Sequence, residues 1–314
     1  MTNTLPLVSV VVITFNSEKT IIETLESIKK QTYNNIELII SDDYSKDNTL
    51  NKCEEWIKLN SKQFQYINLL KSPKNLGVSI NCNRGCELAN GEWIKIIAGD
   101  DALFPDAISS FIEFSKHYPE ARIIHSKLKA YDNFLTDKYA RNNEFINYPQ
   151  CFIENNAHNW KKQHLILAIS NTIGAVTVIF KKDLYKEVGK FDENIKQCED
   201  WPMWLKITQS KNPFYFLNKT TSKYRINSNS IFGKCTVNFL FSRFFEMENL
   251  VYTRYIKNSF PFYIKAIIRY NYYLRLYLDK YNLNRKSAFN IQLYSILNLP
   301  YSIGRKLILD RLKQ

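Results

Sequence analysis

Two adjacent carboxylate pairs, Asp42-Asp43 and Asp100-Asp101, each close a run of aliphatic residues in this chain. Paired acids suit a hard divalent ion, Mn²⁺ or Mg²⁺, which takes oxygen ligands and shares them with substrate phosphates. A third run ends in Thr14-Phe15-Asn16, polar groups around one aromatic ring. No GxGxxG follows the first run and no GxxxxGK[ST] occurs anywhere, so neither the dinucleotide fingerprint nor the P-loop is present. Any phosphate must then be held through metal. Plainer readings compete: one Asp-Asp pair is an ordinary solvated turn, Phe15 is by default core, and Asp200 is a charge favoured in the first turn of a helix. Two acid pairs at the same edge of one sheet shift the balance toward a shared site.

The surrounding pattern supplies such a sheet. Val8 to Phe15 and Glu37 to Ser41 read as buried strands, Tyr66 to Leu70 as a short strand and Glu92 to Ala98 as a further one. Between them lie helical patterns from Ser17 to near Gln31, Asn48 to Leu59, and Val78 to Asn90, the last closed by Gly91 in the C′ position. Alternation predicts an α/β fold, an open and mostly parallel sheet flanked by helices. Ligands of such sheets bind beyond the carboxyl ends of the strands, where the acid pairs fall. Downstream, Pro105–His117 reads as a helix, Ala121–Ala130 as a strand, and 132–162 as a loop-rich stretch. Thr172–Lys181 reads as a strand, with helices over Lys182–Val188 and Asp200–Gln209. Beyond Gly233 the pattern is helical.

The chain has 314 residues and a formal charge of +13, with 45% hydrophobic residues, enough for a large core. Residues 233–314 hold 14 Lys/Arg and 4 Asp/Glu, so the tail carries most of the excess. This divides the chain into a near-neutral domain, 1–232, and a basic, aromatic helical extension, 233–314. The cysteines Cys53, Cys82, Cys86, Cys151, Cys198 and Cys235 form no CxxC pair, which predicts free thiols in a reducing compartment. No run is apolar enough for a signal peptide or membrane span, so the expected location is cytoplasmic.

The ordered segments Val10-Val-Val-Ile-Thr-Phe-Asn, Gln31-Thr-Tyr-Asn-Asn-Ile-Glu-Leu-Ile-Ile-Ser-Asp-Asp, Asn75-Leu-Gly, Ala89-Asn-Gly-Glu-Trp-Ile and Gly99-Asp-Asp resemble family 2 glycosyltransferases of the GT-A fold, over roughly 7–130. A second block, Gly189-Lys-Phe-Asp to Cys198-Glu-Asp-Trp-Pro-Met-Trp-Leu, is similar to that family's acceptor half. The resemblance implies a UDP-sugar donor. Phe15 would pack on the base, with Thr14, Asn16 and Asn75 in the nucleotide-sugar site. Asp42 would accept the uracil N3–H, Asp100 would contact ribose, and Asp101 would ligate the metal. Asp200 would be the general base of an inverting displacement, with Glu199, Trp201 and Arg225 on the acceptor or diphosphate side. Lipid-linked oligosaccharides in bacterial surface polysaccharide assembly (O-antigen, capsule) would be the acceptors.

The chain departs from that pattern in places. Cys82 sits near the register where an Arg is usual after Asn-x-Gly, and Arg84 follows. Tyr224-Arg225-Ile226-Asn227 resembles a Tyr-Arg-x-His element without its His. The Gln-x-x-Arg-Trp element of processive synthases is missing, which favours one sugar per encounter. The rivals are a nucleotidyltransferase, which needs a Gly-rich basic loop that Asn16-Ser-Glu-Lys does not provide, and a basic nucleic-acid-binding protein. A lectin-like protein without turnover is a third. In the tail, Phe289, Leu293, Ile296 and Leu297 share one helical face bracketed by Arg285-Lys286 and Arg305-Lys306. That suits an anionic membrane surface; packing on the catalytic domain is the alternative. No nucleic-acid partner is expected.

Overall fold

In a computed structural model, residues 5–141, 148–226, 240 and 244–311 are described. The 232/233 boundary, Asn227 and Cys235 lie outside them. The chain runs β1 (Val8–Thr14), α1 (Ile21–Lys29), β2 (Ile36–Asp42), α2 (Thr49–Asn60), β3 (Tyr66–Lys71), α3 (Val78–Leu88) and β4 (Trp93–Ala98). There follow β5 (Ala102–Leu103), α4 (Ala107–His117), β6 (Ile123–Asp132), α5 (Gln150–Ile153), α6 (Trp160–Ile169), β7 (Val178–Lys181), α7 (Lys182–Glu187), α8 (Asp200–Gln209) and β8 (Tyr215–Ile226). The tail is α9 (Phe245–Val251), α10 (Phe262–Lys280), α11 (Ala288–Leu297) and α12 (Leu299–Arg311).

One sheet orders its strands β3-β2-β1-β4-β7-β6-β8-β5. β1 to β4 pair in parallel, β7 runs antiparallel between β4 and β6, and β8 is parallel to β6. The sheet is therefore mostly parallel, as the alternation predicts. β1 is buried at nearly every position and β2 at all of them, because helices cover both faces.

Local readings differ in three places. Gly91 does not close α3: the helix ends at Leu88, Ala89 is already extended, and Gly91 has no left-handed φ. Its role is close approach, since a Cβ there would lie 2.6 Å from Ser9 N and 2.8 Å from Leu7 O. The strand expected over Thr172–Lys181 starts only at Val178, after a 3₁₀ turn over Ala175–Thr177. β8 and most of α6 carry no clear period. Polar Asn218, Lys219 and Thr220 interrupt β8 where its register against β6 shifts.

Among the described residues the tail forms no core of its own. Val251, Ile256, Phe260, Ile264 and Ile308 belong to the same buried cluster as Phe152, Leu167, Trp204 and Phe214. Asp192 fastens this join, accepting from Tyr255 Oη at 2.6 Å and pairing with Arg254 at 2.8 Å. By contrast α11 buries no residue; Phe289, Ile296 and Leu297 are exposed, as are Leu299, Ile303 and Leu307 on α12. No described helix is long and apolar enough to cross a membrane.

Candidate active site

The parallel register sets Thr14 beside Asp42 and Ile13 beside Ala98, so the three segments singled out above leave the sheet at one edge. Main-chain bonds lock them together: Asp43 N–H donates to Thr14 O at 2.9 Å and Gly99 N–H to Ile13 O at 2.8 Å. The Thr14 hydroxyl is buried without a partner among the described residues. A Cβ on Gly99 would come within 2.8 Å of it, so only glycine lets the acid loop close over this strand end. Phe15 is 46% exposed, not core. Asn16, at φ +51°, joins the neighbouring loop, receiving Lys46 N–H on Oδ1 and donating its own N–H to Ser45 Oγ, both at 2.8 Å.

Asp42 is buried and caps its own turn: Oδ2 accepts Ser45 N–H at 2.9 Å and Oδ1 accepts the Ser45 hydroxyl. Asp43 ties down the Asn75 loop, accepting the N–H groups of Leu76 and Gly77 at 2.8 Å. Asn75 itself is exposed, its amide 3.3 Å from Asp43 O. Arg84 donates to Asp42 O at 3.2 Å, on the underside of the same turn.

The Asp100-Asp101 loop is clamped by β8. Arg225 donates its main-chain N–H to Asp101 Oδ1 at 2.9 Å and its Nε–H to Asp100 O at 2.7 Å. Its remaining guanidinium nitrogens bond Asn133 O and Glu23. At 4% exposure, Arg225 thus spends its fork on the protein's own loops and on α1. Burial pushes the Asp100 carboxyl up; it pushes Asp101 well up, with repulsion from Asp100 adding to it. The fully buried Lys95 is pushed down to about 7 by burial, opposed by the charge of Asp101. Its Nζ donates to the carbonyls of Ile96, Val176 and Val178.

Among the described residues no three His, Cys, Asp or Glu are arranged to hold a metal ion. The donor set still fits Mg²⁺ or Mn²⁺, which bind through one or two carboxylates with substrate phosphate and water completing the shell. Two adjacent acids, unfavourable as bare charges, would be relieved by a cation.

Asp200 opens α8. Its Oδ1 accepts from Trp201 N–H at 2.7 Å, Asn171 Nδ2 at 3.0 Å and Cys198 Sγ at 3.3 Å, and Oδ2 has no partner among the described residues. Burial raises the Asp200 carboxyl. Glu199 is raised to about 8, first by burial and then by Asp200. Trp201 anchors the helix, donating Nε1–H to Leu167 O at 2.6 Å. Burial lifts the Tyr224 phenol to about 12, and the charges of Asp101, Asp100 and Asp200 add to this. Asn171 and Glu23 carry no local sequence signal; Glu23 meets Arg225 across 202 residues.

Residues 9–184 match the model of glycosyl transferase family 2. The named teichuronic acid biosynthesis glycosyltransferase TuaG of Bacillus subtilis is 26% identical over 74% of this chain and 83% of its own length. An uncharacterized glycosyltransferase of Haemophilus influenzae is 26% identical over 98% of this chain and 94% of its own length. The crystal structure of S. aureus TarS 1–349 in complex with UDP-GlcNAc superposes with a TM-score of 0.61, at 21% identity, covering 86% of this chain and 72% of that one. That likeness bears on the fold, the GT-A-like arrangement of sheet and helices. With more than half of its residues inside the family model, the chain belongs to glycosyl transferase family 2 and is a glycosyltransferase.

Proposed function

We propose that this enzyme moves one sugar from a UDP-sugar to an oligosaccharide acceptor, with inversion and with a divalent metal. The observation that carries the reading is the meeting of Thr14, Asp42 and the Asp100-Asp101 loop at one edge of the sheet, locked by main-chain bonds and clamped by Arg225. On the donor side, Phe15 offers an exposed ring to the base, with Thr14, Asn16 and Asn75 lining the site. Asp42 takes the uracil N3–H on a lone pair left beside its bonds from Ser45, and Asp100 contacts ribose. The ion, held by Asp101 with Asp100, would supply positive charge to the departing diphosphate. On the acceptor side, Asp200 Oδ1 is pinned by three donors, so Oδ2 is left to receive the proton of an acceptor hydroxyl. As that proton moves, the acceptor oxygen bonds the anomeric carbon and the bond from that carbon to UDP oxygen breaks. One displacement turns an α-linked donor into a β-linked product. Arg225 acts as a positioning residue, holding the Asp100-Asp101 loop.

A relative named for teichuronic acid biosynthesis supports a role in bacterial surface polysaccharide assembly, with a lipid-linked acceptor. The exposed apolar positions of α11 and α12 beside Arg285, Lys286, Arg305 and Lys306 support peripheral attachment to the inner, anionic face of the membrane. The deciding experiment is a screen of UDP-sugars reading UDP release in Mn²⁺ and in EDTA. Release only with Mn²⁺ and one donor is expected; equal release in EDTA would remove the metal.

A further inference from the structure

The turn after β2 holds a conformation its residue should avoid. Tyr44 has φ +70°, the left-handed region that favours glycine. Asn16, on the adjoining loop, is also left-handed, but an asparagine tolerates this through its short polar side chain. A bulky aromatic does not, and such strain persists where the surroundings over-determine it, commonly at ligand sites. The surroundings do so here. Asp42 grips Ser45 through both its N–H and its hydroxyl, and Ser45 Oγ receives Asn16 N–H at 2.8 Å. Lys46 N–H reaches Asn16 Oδ1 at 2.8 Å. Tyr44 is thus held between two fixed neighbours. Yet the residue is 38% exposed and belongs to neither buried cluster of the sheet, so packing does not account for a tyrosine at this position. The Lys46 ammonium lies 3.4 Å from the ring centroid, over one face. The ring sits on the loop bonded to that of Phe15, the other exposed aromatic of this edge.

We propose that Tyr44 is a donor-binding residue, its ring forming a second aromatic wall for the base of the nucleoside diphosphate, opposite the contribution of Phe15, with Lys46 setting the ring's orientation. This rests on the donor site proposed above and adds a contact that none of Phe15, Asp42 or Asp100 supplies. Strain at the turn is the cost of keeping a flat ring at the rim.

Titration calorimetry with UDP and with pyrophosphate, each with Mn²⁺, on the full chain tests this, with melting temperatures taken in parallel. Tyr44→Gly should weaken UDP binding about tenfold, in the range of base stacking on an aromatic side chain. It should leave pyrophosphate binding unchanged, with the melting temperature equal or higher because glycine relieves the strain. Tyr44→Phe should bind UDP within about twofold of the native chain, since the ring remains. Native binding of UDP with no change in Tyr44→Gly overturns the Tyr44 assignment alone. So does an equal loss for UDP and pyrophosphate, or a loss accompanied by a lowered melting temperature. A native chain that binds neither ligand overturns the donor reading and this assignment with it.

Discussion

The main-chain N–H of Arg225 donates to Asp101 Oδ1 at 2.9 Å, joining residues 124 positions apart. It occupies one oxygen of the carboxylate proposed to hold metal and leaves the other. Asp200 repeats the pattern, with Oδ1 filled by three donors and Oδ2 left over.

Asp101→Asn should abolish Mn²⁺-dependent UDP binding while leaving the metal-free protein as stable or more so. The native carboxyl is pushed well up by burial and by Asp100, so removing its charge relieves repulsion. Calorimetric titration and a melting scan in EDTA measure the two arms. A fall of several degrees in the scan would show that Asp101 chiefly holds the fold.

Asp200→Asn should retain UDP binding and lose turnover by about 10²–10⁴-fold, the usual worth of general-base assistance. The amide keeps an oxygen for Trp201, Asn171 and Cys198 but cannot take a proton. Turnover within a few-fold of the native rate would remove Asp200 as the base.

The pH–rate profile should rise above the ordinary carboxylate range, because a base must be ionised and burial raises Asp200 and its neighbour Glu199. Asn171→Ala removes a hydrogen bond that favours the ionised Asp200 and should move the rising limb to higher pH. An unmoved limb would show that another group sets the profile.

The same pair bears on stability. Glu199 is raised to about 8 in the folded chain, so the unfolded chain loses its proton first. Stability from this group is full below the ordinary value near 4.3 and lost as pH rises through about 8. Glu199→Gln should therefore raise the melting temperature more at pH 9 than at pH 4, by roughly 2 °C or more. Equal shifts at both pH values would contradict the raised carboxyl.

Phe289→Asp together with Leu307→Asp should weaken sedimentation with anionic vesicles without lowering the melting temperature. Both side chains are exposed, so neither supports the core. Deleting the tail after residue 232 is a poorer test, because Val251, Ile256 and Ile264 are part of the catalytic core. Unchanged sedimentation of the double variant would leave the basic charge alone, or no membrane, as the explanation.

Much of the donor half was legible because its strands are continuous aliphatic runs and its acids follow them directly. Phe15 and the Asp-Asp pairs came out at one edge because parallel pairing fixes register over β1, β2 and β4. What stayed hidden was long-range. Arg225 reads as a phosphate contact by motif, yet its partners Glu23, Asp100 and Asn133 lie 92 to 202 residues away, and no local period reports them. β8 was missed because its polar middle breaks the alternation that marks a strand. Gly91 was read from helix-cap statistics, whereas close approach to β1 decides it. The tail read correctly as helical, but its sharing of one core with the catalytic part depends on contacts between distant apolar residues.

The clamp by Arg225 also orders events in time. A chain made from its N-terminus exposes β1, β2, β4 and the Asp100-Asp101 loop long before residue 225 leaves the ribosome. At roughly 5–20 residues per second, several seconds separate the two. Through that interval the acid loop lacks the two bonds from Arg225 that hold it. The acid loop thus gains its strap only when β8 takes its place between β6 and β5.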